Sequence, residues 1–183
     1  AKLRVIKKDS DTKQTVLVPN AEFKIFNLDK NEYVTQYTTY PSKVKHTSFF
    51  TDEDGDLILP EALKIGNYRI EEIKAPFGYV VNDNYINISV DTDTAFETDG
   101  DTNDAIITVE YSDAPAVGEL TVEKKGEVLD GFKGGLFANS EDKEFVYKEG
   151  SLAGAVFKVY AAEDIFTADK QKDADGNRTK YYS

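Results

Sequence analysis

The chain has 183 residues and a formal net charge of −12, with its acidic side chains spread through the turn segments. Nucleic acids and anionic membranes are recognised by basic patches, so this balance argues against both as partners. Hydrophobic residues make up 40% and aromatic residues 12%, enough for a sizeable core, while the absence of Cys rules out disulfides, thiolate catalysis and cysteine-held zinc.

Short alternating runs of Thr, Val, Ile, Tyr and Phe, broken by Asp-Gly and Asn-rich turns, predict β structure nearly throughout. In chain order the expected strands are 2–8, 21–27, 32–38, 47–51, 56–59, 67–74, 79–81, 84–90 and 105–112. Asp54-Gly55 and Asp99-Gly100 read as turns. Helix signals are poor, and only Glu61-Ala62-Leu63-Lys64 has the composition for a single turn. No apolar run reaches the ~18 residues of a membrane-spanning helix. The N-terminus begins directly in a strand with no signal-like apolar region, which reads as a piece excised from a longer protein.

Three of these strands carry an ionisable residue where the alternation calls for a core residue. Strand side chains alternate between faces with period 2. Leu3 and Val5 therefore share a face with Lys7, Tyr68 and Ile70 share one with Glu72, and Val109 and Tyr111 share one with Asp113. Buried charges are costly unless they pair or neutralise. Three such rows meeting in one core place an amine between two carboxyls, the chemistry of an intramolecular Lys–Asp amide crosslink. Glu71 and Lys8, on the opposite faces, are expected to be the outward, solvated neighbours.

The chain also repeats. Leu3-Arg4-Val5-Ile6-Lys7-Lys8 returns as Leu120-Thr121-Val122-Glu123-Lys124-Lys125, and Ala21-Glu22-Phe23-Lys24-Ile25-Phe26 as Ala155-Val156-Phe157-Lys158-Val159-Tyr160. The larger offset of the second pair places an insertion around 126–150. A Pro-containing joint, Ala114-Pro115-Ala116-Val117, separates the copies. The expected organisation is one domain over 1–116 and the N-terminal part of a second over 117–183, in series as in a modular rod.

The segments Lys7-Lys8-Asp9, Asn20-Ala21-Glu22-Phe23 and Thr51-Asp52-Glu53-Asp54-Gly55 stand in the order found in one known family. The most specific segment is Tyr68-x-Ile70-x-Glu72-x-x-Ala75-Pro76-x-Gly78-Tyr79, the E-box of that family. Residues 2–115 thus resemble a Cna protein B-type domain, the prealbumin-like, SpaA-type β-sandwich of Gram-positive surface adhesins and pilins. The resemblance implies an all-β, Greek-key sandwich, with 118–161 resembling the opening of a second copy. It implies Lys7 as amine nucleophile, Glu72 as catalytic acid and Asp113 as carbonyl partner. The acceptor in this family is most often Asn, so Asp113 is a departure. Lys124 takes the nucleophile's place in the second copy, whose Glu and acceptor would lie beyond Ser183.

Burial disfavours the charged forms of an amine and a carboxyl alike, so a neutral Lys7 can attack Asp113 while a protonated Glu72 polarises its carbonyl. This is a single autocatalytic event rather than enzymatic turnover, and it requires no cofactor. The resemblance further implies a stalk segment of an extracellular, cell-wall-anchored adhesin or pilin. Its partners would be sortase and peptidoglycan, reached through the parent protein. A ligand-binding adhesin module for a host protein or glycan, and an accessory domain of a surface enzyme, are the alternatives. His46, the only His, lies in a polar stretch and reads as a surface residue. The acidic stretch from Asp91 to Asp104 lacks the Gly and Glu of an EF-hand loop and reads as solvated, so no metal site is expected.

Overall fold

The computed structural model describes residues 1–134 and 144–182. Its strands are β1 (Lys2–Asp9), β2 (Glu22–Asn27), β3 (Glu32–Tyr33), β4 (Gln36–Thr38), β5 (Val44–His46), β6 (Phe49–Phe50), β7 (Asp56–Ile58) and β8 (Gly66–Lys74). They continue with β9 (Tyr79–Val80), β10 (Ile86–Val90), β11 (Glu97–Thr98), β12 (Ala105–Pro115), β13 (Lys125–Lys133), β14 (Glu144–Ser151), β15 (Ile165–Phe166) and β16 (Lys180–Tyr182). Eight of the nine expected strands are present, with ends shifted by up to three residues; the expected strand 32–38 is instead two, β3 on β2 and β4 on β5. The single turn of helix expected at 61–64 is absent: Leu63 is drawn into the core and its N–H donates to the carbonyl of Ala1.

Two sheets make the sandwich. One has the order β11-β12-β1-β7, with β9 also on β12. The other has the order β10-β8-β2-β3, with β6 also on β2. The alternation that defined the strands fills the space between them: Leu3, Val5, Phe23, Ile25, Leu57, Tyr68, Ile70 and Tyr111 are all buried in one cluster. The first strand, β1, lies parallel to the last, β12, with Lys7 opposite Tyr111 and Asp9 opposite Asp113.

The segment 51–55, with its Asp54-Gly55 turn, is a crossover between the two sheets rather than a hairpin. The strands it joins, β6 and β7, pair with β2 and β1 in different sheets. Asp52 caps the turn, accepting the N–H of Asp54 at 2.9 Å. Gly55 has φ +80°, and a Cβ there would meet the Val16 carbonyl oxygen at 2.3 Å, so this turn requires glycine. Thr51 is tied to the Asn20-Ala21 segment, its hydroxyl accepting the Ala21 N–H at 3.1 Å and its carbonyl the Asn20 N–H at 2.9 Å. Two motifs separated in sequence are thus one structural feature.

The chain divides into two compact units, residues 1–116 with 163–183, and residues 117–162. In the second unit β13 and β14 form a hairpin, in the place where the repeat offset located an insertion. Residues 120–124 and 155–160, which match β1 and β2 in sequence, are not paired as strands and are exposed. Among the described residues no strand pairs with them, and an unpaired strand edge leaves its N–H and C=O groups to solvent. Residues 163–182, expected with the second domain, instead lie in the first unit.

Candidate functional site

The three core-facing ionisable residues converge. Lys7 comes from β1, Asp113 from the adjacent β12, and Glu72 from β8 in the facing sheet. Lys7 is 0%, Asp113 1% and Glu72 7% exposed. Lys7 Nζ lies 2.7 Å from Glu72 Oε1 and in direct contact with Asp113 Oδ1. In the parallel register Asp113 is two residues beyond the partner of Lys7, so the long lysine stem runs along the strand to reach it.

The surroundings are apolar and aromatic. Nζ sits 4.7 Å from the centroid of Tyr111 and 5.6 Å from that of Phe23, and these two rings pack edge to face at 5.1 Å. Ring faces attract a cation, so the amine is held over them. Lys7 Nζ, Glu72 Oε1 and both Asp113 oxygens make no regular hydrogen bond among the described residues, and Lys7 forms ion pairs with Glu72 Oε1 and Asp113 Oδ1. Glu72 is oriented through its other oxygen, which accepts the Asn82 N–H at 3.0 Å. The Asn82 side chain donates to the Ser112 carbonyl at 2.8 Å, and the Tyr111 hydroxyl donates to the Asn82 carbonyl at 3.0 Å.

Burial is the main cause that pushes the Asp113 carboxyl up to about 7, with the Lys7 amine pulling it back. Burial likewise pushes the Tyr111 phenol up to about 12. The sign of the Asp113 shift makes a testable statement. A carboxyl whose folded value is raised contributes stability below its unfolded value, and that stability is lost as pH rises through the folded value. A Lys7→Met chain removes both the crosslinking amine and the group that lowers Asp113. Its melting temperature is expected to fall as pH rises from about 5 to 8, by the equivalent of a few kcal/mol, while Lys7→Met/Asp113→Asn stays nearly flat over that range. Matching pH profiles for the two variants would contradict the raised carboxyl.

Some residues stand elsewhere than expected. Glu71 does point away from Lys7, but it is buried rather than solvated. It accepts from Arg69 Nε at 2.7 Å and from the Tyr33 hydroxyl at 2.9 Å, beneath an outer-face cluster. Lys8 is half-buried and pairs with Glu110 at 3.3 Å. Lys124 is exposed. His46 pairs with the Thr38 hydroxyl at 3.0 Å on the β4–β5 hairpin, outside the site.

Asp9 and Tyr79 were not singled out as site residues. Asp9 is fully buried, its Oδ1 capping the N–H groups of Asp11 and Thr12, and its Oδ2 accepting the Tyr79 hydroxyl at 2.7 Å. Burial and this bond push the Tyr79 phenol far above its ordinary value. The signal was available, because Asp9 continues the row Leu3, Val5, Lys7 by one more step.

A family model of the SpaA prealbumin-like fold domain matches residues 1–104. The chain belongs to this family. Its sandwich is the SpaA fold, and the match covers β1 to β11. No curated protein matches the chain. Among solved structures it is similar to the pilus 2b backbone protein of group B streptococcus, at 23% identity and TM-score 0.47, over 62% of this chain and 40% of that one. It is also similar to GBS52, the minor pilin of Streptococcus agalactiae, at 12% identity and TM-score 0.49, over 67% and 48%. The shaft pilin SpaA of Lactobacillus rhamnosus GG matches at 21% identity and TM-score 0.44, over 66% and 47%. The chain spans less than half the length of each of these three structures.

Proposed function

We propose that this SpaA domain is a stalk segment of a Gram-positive cell-surface pilin or adhesin, held closed by an autocatalytic amide between Lys7 and Asp113. The observation that carries the reading is the contact of Lys7 Nζ with Asp113 Oδ1 and Glu72 Oε1, in a core where these atoms find no hydrogen-bond partner among the described residues. Structural ion pairs are normally satisfied by further hydrogen bonds, because desolvation is otherwise uncompensated. An amide removes both charges and leaves a neutral group.

The reaction balances within the site. The Lys7 nitrogen lone pair attacks Asp113 Cγ and a C–N bond forms. The Cγ–OH bond breaks, and the hydroxyl leaves as water with a proton from the amine. Glu72 lies within reach of the amine and carries that proton to the departing oxygen. The raised Asp113 keeps the acid form populated near neutral pH, and the acid has a leaving group where the carboxylate has none. Folding supplies the proximity, which in well-oriented intramolecular reactions is worth many orders of magnitude in effective concentration. No turnover follows, since the nucleophile and electrophile are both consumed.

The extracellular, wall-anchored location and the use of sortase by the parent protein are part of the same reading. They rest on membership of the SpaA family. The test is the intact mass of the purified chain, expected about 18 Da below the sequence mass for one amide, with a Lys7–Asp113 branched peptide after digestion. An unreduced mass would remove the crosslink from the proposal.

A further inference from the structure

Asp169 is as buried as the crosslinking residues, at 1% exposed, yet it lies beyond the matched family segment. Both its carboxylate oxygens are engaged. Oδ1 accepts the Thr167 hydroxyl at 2.6 Å and the Gln171 N–H at 3.1 Å, and Oδ2 accepts the Thr12 hydroxyl at 2.7 Å. The main chain is joined at two further points. Leu17 N–H donates to the Asp169 carbonyl at 2.9 Å, and Gln171 Nε2 donates to the Thr15 carbonyl at 2.7 Å. A buried carboxylate is tolerated only where donors replace its water, and here they come from both segments. Ala168 adds an apolar contact, packed against the small cluster of Val16, Val18, Ala75 and Tyr79.

The segment that carries Asp169 is itself braced. Thr167 N–H donates to the Thr179 carbonyl at 3.0 Å, Arg178 Nη2 donates to the Thr167 carbonyl at 2.9 Å, and its guanidinium lies 4.8 Å from the Phe166 ring centroid. A turn capped by Asp173 reverses the chain between the two arms. The receiving surface adjoins the proposed crosslink. Val16 N–H donates to the Lys7 carbonyl at 2.9 Å, and Tyr79 holds Asp9, two residues after Lys7.

We propose that residues 163–182 are an intramolecular clasp, and that the 12–18 loop and the 75–79 turn of the SpaA domain form its docking surface. The chain leaves the first unit after Ala116 and returns at Glu163. The clasp therefore fixes the point at which the chain rejoins the first unit. None of its contacts involves the amide, so it stands independently of the stalk reading and adds a second, non-covalent lock.

Hydrogen exchange on the intact chain tests it. The amides of Leu17, Thr167, Gln171 and Thr179 are expected to be protected. Asp169→Ala and, separately, Ala168→Lys should each raise exchange at 15–18 and 165–180 by roughly tenfold or more, with β8 amides such as Ile70 unchanged. Unprotected exchange of 165–180 in the unaltered chain would overturn the clasp, as would variants that leave Leu17 protected. Equal loosening of β8 would make the segment part of one cooperative core and not a separate lock. Protection that grows with protein concentration, together with a dimer by light scattering, would place the segment on a neighbouring copy and overturn the intramolecular form.

Discussion

A Glu72→Gln chain is expected to fold and to keep its full, uncrosslinked mass, while Glu71→Gln crosslinks like the unaltered protein. The two glutamates are adjacent in sequence and opposite in orientation. Glu72 faces the sandwich interior, with Oε1 2.7 Å from Lys7 Nζ. Glu71 faces outward to Arg69 and Tyr33. Gln retains an oxygen to accept the Asn82 N–H, so the packing that holds position 72 survives. What it loses is the exchangeable acid proton. Positioned acid–base groups contribute typically ~10²–10⁴-fold, so bond formation should slow from spontaneous maturation to a rate that leaves most chains open after purification. Glu71→Gln weakens a half-neutralised outer-face cluster and should cost about 1–2 kcal/mol of stability without touching the crosslink. Intact mass of the two variants, measured side by side, decides it. A crosslinked Glu72 variant would mean that proximity alone suffices and that Glu72 is not the proton carrier.

Much of this arrangement was legible before any coordinates. Period-2 alternation is a strong constraint, because a one-residue slip in register would turn every core side chain to solvent. Lys7, Glu72 and Asp113 could be placed on the inner face from their rows alone. The rows could not show that β1 and β12 are parallel neighbours, which is what makes the first and last strands of the domain able to join. That adjacency is a property of the whole topology and has no local signature.

The readings that differ have local physical causes. Glu71 was expected in water because Arg69 shares its face, but Tyr33 arrives from β3 and covers the pair. A contact made by a short, distant strand leaves no trace in the pattern of β8. Residues 163–182 contain short apolar pairs and a turn, and composition alone joins them to the sequence that precedes them. Of their partners, Thr12 donates its hydroxyl to the buried Asp169 and Thr15 offers a backbone carbonyl to Gln171, and neither contact shows in the local pattern of residues 12–18. Repeat matching located the β13–β14 hairpin as an insertion, since an offset between matched motifs depends only on counting. It could not say whether the matched segments pair, which depends on neighbouring strands, and among the described residues they have none.

The unaltered chain is expected to melt far above its Asp113→Ala variant and to outlast it in trypsin. The amide would close a loop of about 100 residues, from Lys7 on the first strand to Asp113 on the last. By the chain-entropy account used for other covalent crosslinks, a loop of that size contributes on the order of 4–5 kcal/mol. For a domain of this size that corresponds to a rise of roughly 10–20 °C in melting temperature. The variant also leaves the Lys7 amine in an apolar, aromatic site with Glu72 as its one carboxyl partner, which adds to the loss. The same geometry governs mechanical load. β1 and β12 are parallel, and the joined residues lie toward the same end of each strand. Tension applied at residues 1 and 116 would pass along β1 to Lys7, across the amide, and out through the last residues of β12. Everything between Lys8 and Ser112 would be bypassed, so the sandwich could not be peeled open from its ends. Single-molecule extension should therefore show no unfolding step for the SpaA domain in the unaltered chain, and one full-length step in Asp113→Ala. Equal melting temperatures and equal extension traces for the two chains would show that the bond, even if formed, is not what keeps the domain closed under load.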